Sequence, residues 1–67
     1  MERDPLTEPM ESDVIKTKSG AVRTVKDSNG VSVWYRVELN GWTCDFGCLV
    51  EEWRIEAKDA EVLHVAA

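Results

Sequence analysis

A chain of 67 residues with a formal net charge of −5 has the size of one small domain. Folding at this length buries only about 60% of the surface that the unfolded chain exposes, which leaves little room for a deep catalytic cleft. Two cysteines and one histidine supply too few groups for a disulfide framework or a four-ligand zinc centre, and no apolar run approaches the roughly 18 residues that cross a bilayer. The start Met1-Glu2-Arg3-Asp4-Pro5 lacks the basic and apolar pattern of a signal peptide, so the expected location is the cytoplasm, with no membrane partner and no cofactor. Charge is unevenly spread: residues 1–12 carry four acids against Arg3, residues 13–36 five bases against Asp13 and Asp27, and residues 37–67 seven acids against Arg54 and Lys58. Acidic ends around a basic middle argue against a generic nucleic-acid binder, which needs a basic excess to neutralise phosphates.

Residues 1–12 hold both prolines, Pro5 and Pro9, with four acids and no periodic pattern, and they read as a flexible acidic tail. Residues 13–67 read as a single small β domain. A short first strand starts at Asp13 and stops at Lys18-Ser19-Gly20, and a second runs from about Ala21 to Lys26. Ser28-Asn29-Gly30 then opens the clearest element of the chain, Val31 to Leu39. There Val31, Val33, Tyr35, Val37 and Leu39 alternate with Ser32, Trp34, Arg36 and Glu38, the period of two of a half-buried strand. The Asn-Gly pairs on both flanks suit type I′ hairpin turns, so antiparallel neighbours are expected on each side.

Beyond Asn40-Gly41 the alternation continues through Trp42, Cys44, Phe46, Cys48 and Val50, and then shifts to Trp53, Ile55 and Ala57. One regular strand cannot change parity. Either Gly47 marks a bulge, or Asp45-Phe46-Gly47 is a loop and a new strand starts near Cys48. The favoured reading is a disturbed segment at 45–48 and a strand from about Leu49 to Glu56, with Trp53 and Ile55 in the core. A single helical turn is expected near 58–61, followed by a short last strand through Val62-Leu63-His64-Val65. The predicted fold is all-β: a small SH3-like barrel, or a strongly bent antiparallel sheet, of about five strands with one short helical turn.

The stretch from Asp13 to Val65, with the Lys18-Ser19-Gly20 turn, the valine-rich hairpin and the ending Arg54-Ile55-Glu56-Ala57 to Glu61-Val62-Leu63, resembles small bacterial and prophage proteins with SH3-like, KOW-type folds. The resemblance implies a binding module with no catalytic residues to carry over. The chain departs from that pattern at 41–48, which is longer and more aromatic.

Cys44 and Cys48 form one C-x3-C. In an extended strand they stand roughly 13 Å apart, too far for a disulfide; a tight turn at 45–47 would bring them together, and an intermolecular metal site is a further alternative to free thiols. His64 has no recognisable catalytic neighbour and reads as a surface or edge residue. Glu51, Glu52 and Glu56 read as a solvated face, because paired catalytic carboxylates need a cleft that separates their pKa values. The three tryptophans carry the sharper signal. Trp34 falls opposite the valine face beside Arg36, the makeup of a binding hot spot, unless it packs against Trp42 or Trp53 as a second minicore. Trp42 and Phe46 divide between core and a loop patch. The candidate binding residues are therefore Trp34, Arg36, Trp42 and Phe46.

The functional expectation is a non-enzymatic, phage- or prophage-type protein-binding module whose aromatic and acidic surface docks on a host protein or on a second copy. One alternative is a nucleic-acid-linked small barrel using Lys16, Lys18, Arg23, Lys26 and Arg36 with Trp34. Another is an acidic mimic of the phosphate backbone that inhibits a host defence enzyme.

Overall fold

The structure, a computed structural model, describes residues 3–66. Five strands and one helix follow in the order β1 Val14–Lys16, β2 Val22–Ser28, β3 Ser32–Leu39, β4 Trp42–Leu49, α1 Val50–Glu56 and β5 Glu61–His64. All strands pair antiparallel in one open sheet of order β4-β3-β2-β1-β5. Of the two expected forms, the sheet is present and the closed barrel is not, because β4 and β5 are free edges at opposite ends.

The turns explain the meander. Asn40 and Gly41 take φ values of 52° and 80°, the two left-handed positions of a type I′ turn, and Leu39 faces Trp42 directly across it. At the β2–β3 turn Gly30 has φ 87°, while the Asn29 side-chain oxygen accepts hydrogen bonds from the backbone N–H groups of Val31 (2.9 Å) and Ser32 (2.8 Å). A bulge at Lys26, where the β2–β3 register shifts between Val25 and Asp27, locally reorients the end of β2.

Strand alternation puts Ile15, Val25, Val33, Tyr35 and Val37 on one face, where they form the buried core with Trp53 and Ala57. That face is the inner one, and α1 lies over it on its way from the β4 edge to the β5 edge. Two expectations change here. β4 is regular through 45–48, with an unbroken register against β3, so the disturbed segment is absent. The segment 50–56, expected as part of a strand, is α1, and a hydrogen-bonded turn follows at 57–59, with the Ala60 N–H donating to the Ala57 carbonyl, next to the helical turn expected near 58–61.

The parity shift is the change from a period of two to a helical one. Val50, Trp53 and Ala57 are all buried and stand at the i, i+3, i+7 spacing of one helix stripe. Glu51 and Glu52 occupy the first turn and Arg54 the last, each complementing the helix dipole. A helix of seven residues is too short to stand alone, so Trp53, fully buried, holds it down. Ile55, expected in the core as a strand neighbour of Trp53, is 77% exposed, because a helix turns residue i+2 to the opposite side.

The segment 3–12, expected as a tail apart from the domain, lies against it. Pro5 and Pro9 are buried. The indole Nε1 of Trp53 donates to the Pro5 carbonyl oxygen at 2.9 Å, and Arg54 Nε donates to the Thr7 carbonyl at 2.8 Å. Asp13, wholly buried, accepts from both guanidinium nitrogens of Arg3, from the Met10 N–H (2.8 Å) and from the Ala66 N–H (2.7 Å). Backbone carbonyls and one carboxylate thus hold the segment together with Leu6, which packs against the core, and the carboxylate joins the two ends of the described chain. Burial alone would push the Asp13 pKa up; the Arg3 ion pair and the two backbone N–H donors outweigh it and hold the carboxyl below its usual range.

Candidate binding surface

The four candidate residues fall on opposite faces of the sheet. Trp34 and Arg36 point outward, away from α1. Trp42 and Phe46 point inward, because Val37 pairs with Cys44, Tyr35 with Phe46, and Leu39 with Trp42, and directly opposed residues share a face. Trp34 therefore meets neither Trp42 nor Trp53. It stands over its cross-strand partner Gly47, where a Cβ would lie 3.0 Å from the indole Cδ1, and it is 43% exposed. Arg36 is engaged across the strand by Asp45, with Nε donating at 2.9 Å to one carboxylate oxygen and a terminal nitrogen at 3.4 Å to the other. That hydrogen-bonded pairing raises the Arg36 pKa and lowers that of Asp45.

On the inner face the aromatics form a row running from solvent to core. The Trp42 and Phe46 ring centres are 6.4 Å apart, Phe46 and Tyr35 6.1 Å, and Tyr35 and Trp53 5.1 Å with their planes at 65°, all within the range of favourable tilted or edge contacts. α1 covers the Trp53 end. The other end is bare: Trp42 is 54% exposed, Phe46 45% and Leu39 36%, with the half-buried Cys44 on the same parity.

Arg23 closes the covered end. Its guanidinium carbon lies 4.8 Å from the Tyr35 ring centre and 5.5 Å from that of Trp53, and a terminal nitrogen meets Glu56 Oε1 at 3.1 Å. Stacking on two rings and one charge pair compensate the buried Nε, which has no hydrogen-bond partner. Burial pushes the Tyr35 hydroxyl and the Cys48 thiol up from their ordinary pKa values, and the nearby Glu56 carboxylate adds to both shifts.

Leu39 belongs to this surface although sequence reasoning did not select it, and Arg23, read from the sequence as part of a basic face, instead stacks on the buried Tyr35 and Trp53. The signal available was the two-residue Asn40-Gly41 turn, which forces Leu39 and Trp42 to face one another. Cys44 and Cys48 are both free thiols, His64 is exposed on β5, and among the described residues no three His, Cys, Asp or Glu side chains converge as a metal site. Among those residues no helix is long and apolar enough to cross a membrane.

A separate hollow lies between the N-terminal segment and α1, lined in part by Pro9, Met10, Val50 and Arg54. Its two arginines are already engaged, Arg3 by Asp13 and Arg54 by the Thr7 carbonyl. The bare end of the aromatic row, by contrast, leaves large apolar side chains uncovered. Compared with known proteins, the chain matches no family model, no curated protein and no solved structure.

Proposed function

We propose that the chain is a non-enzymatic protein-binding module whose contact surface is the uncovered end of the inner face, built from Leu39, Trp42 and Phe46. The observation that carries this reading is the exposure of two large aromatic side chains, Trp42 at 54% and Phe46 at 45%, on the face whose other half is a packed core. Clustered exposed apolar side chains on a small domain mark an interaction surface, and tryptophan is enriched among residues that dominate binding energy. Seating on a preformed aromatic row also keeps the ordering cost of binding low. The resemblance to small prophage-type modules implies the same kind of role.

The test is selection of peptides from a random displayed library on the folded protein, with the doubly substituted Trp42→Ala, Phe46→Ser protein in parallel. Enrichment of apolar-containing peptides by the wild type, lost on the double variant, is expected. Enrichment equal on both proteins, or none on either, would overturn the reading.

A further inference from the structure

The bare aromatic surface ends at an unpaired strand, and the properties of that strand indicate how a partner engages. β4 is the last strand on its side of the sheet, eight residues long and in unbroken register with β3, so its far side presents a row of backbone N–H and C=O groups with no strand beyond among the described residues. Folded proteins blunt such edges by shortening them, by placing lysine or proline on them, or by twisting them with a bulge. The opposite edge, β5, is blunted: it has four residues and its register against β1 shifts between Val14 and Ile15. β4 has none of these devices. It contains no lysine or proline, and its one charge, Asp45, is paired with Arg36.

The charge around this edge selects the occupant. Of the four acids in residues 42–56, Asp45 is paired with Arg36 and Glu56 with Arg23. Glu51 and Glu52 take part in no ion pair among the described residues, and Glu38 stands on β3 close by, opposite Thr43. A second copy would bring an identical acidic flank against this one. A basic segment would meet opposite charge.

Resting on the protein-binding reading above, we propose that β4 accepts a sixth strand, an extended segment of another protein that alternates apolar with lysine or arginine residues. Its backbone pairs with the β4 edge, its apolar parity covers Trp42 and Phe46 on the inner face, and its basic parity falls on the outer face, beside Asp45 and toward Glu38. Affinity in such strand addition comes from main-chain hydrogen bonds, and specificity from alternate side chains.

The probe is a capped eight-residue peptide of alternating valine and lysine, offered to the full chain and followed by amide exchange and by titration. Saturable binding that slows exchange of β4 amides at least about tenfold is expected, with an alternating valine and glutamate peptide at least about tenfold weaker. N-methylating every second peptide residue separates main-chain pairing from side-chain docking without altering the protein. Methylation on one parity should abolish binding and on the other leave it intact, because a strand presents its N–H groups alternately to its two sides. Absence of binding by the valine and lysine peptide, or binding indifferent to methylation on both parities, overturns strand addition. Library selection that still depends on Trp42 and Phe46 would then leave the protein-binding reading standing. Sedimentation showing the free chain as a dimer with β4 amides already protected would give the edge to a second copy and overturn this proposal.

Discussion

The indole N–H of Trp53 donates a 2.9 Å hydrogen bond to the carbonyl oxygen of Pro5, 48 positions earlier in the chain. The only large aromatic side chain of α1 is thereby satisfied by a segment whose composition gives no hint of order. Removing residues 1–9 leaves a buried donor unpaired and strips Arg3 from Asp13. Each loss of this kind costs about 1–3 kcal/mol, so the truncated chain should melt at least about 10 °C lower. A melting curve unchanged by the truncation would show that the segment adds nothing to the domain.

Asp13 makes the stability depend on acid. Its folded pKa lies below the value in the unfolded chain, so the carboxylate's contribution is complete above about pH 4 and is lost as pH falls through the folded pKa. Asp13→Asn removes the charge while keeping the shape, and breaking a buried ion pair costs about 3 kcal/mol. Wild type should lose stability steeply below about pH 4 in urea titrations. The variant should start lower near neutrality and show a shallower acid slope.

Trp42 and Phe46 belong to the surface more than to the fold. Trp42→Ala or Phe46→Ser should each shift stability by no more than about 1 kcal/mol while removing peptide binding. Trp34→Ala, on the opposite face, should leave that binding unchanged. Titration of the three variants with one selected peptide checks the assignment of faces.

α1 distinguishes two neighbours of similar hydrophobicity. Trp53→Ala empties a fully buried site and should cost about 3–5 kcal/mol. Ile55→Glu, at 77% exposure, should stay within about 0.5 kcal/mol of wild type. In a strand the two residues would share one face, and chemical denaturation would find both substitutions costly.

Burial, with Glu56 and Glu52 nearby, raises the Cys48 thiol pKa, and the thiolate is the reactive form. In a Cys44→Ala background, alkylation of Cys48 near pH 8 should run at least about tenfold slower in the folded protein than in urea. Equal rates in the two states would place the thiol in open solvent.

The sheet was largely legible because its signals are local. Strict alternation from Val31 to Leu39 sets the core face, and the Asn-Gly turn at 40–41 sets the pairing of β3 with β4. α1 was not legible as a helix. Trp53, Ile55 and Ala57 satisfy a period of two as readily as Val50, Trp53 and Ala57 satisfy a helical stripe, and only the length and evenness of β4 decide between them. The N-terminal segment is hidden for a different reason: it is held by carbonyl oxygens, a single carboxylate and one isolated apolar side chain, Leu6, and none of these makes a periodic pattern. Alternation along β3 already puts Trp34 opposite the valines. Its separation from Trp42 and Phe46 follows only when β4 runs without a break through Gly47, the residue over which its indole sits.

The left-handed pair Asn40 and Gly41 has an effect that reaches beyond the turn itself. Strand side chains change face with every residue, so the loop's length acts as a parity bit for everything downstream. One residue inserted there would carry Trp42, Cys44, Phe46 and Cys48 together to the solvent face and bring Thr43, Asp45 and Gly47 against the core. Which face carries the exposed aromatic residues is thus written in the spacing of a hairpin as much as in the residues themselves.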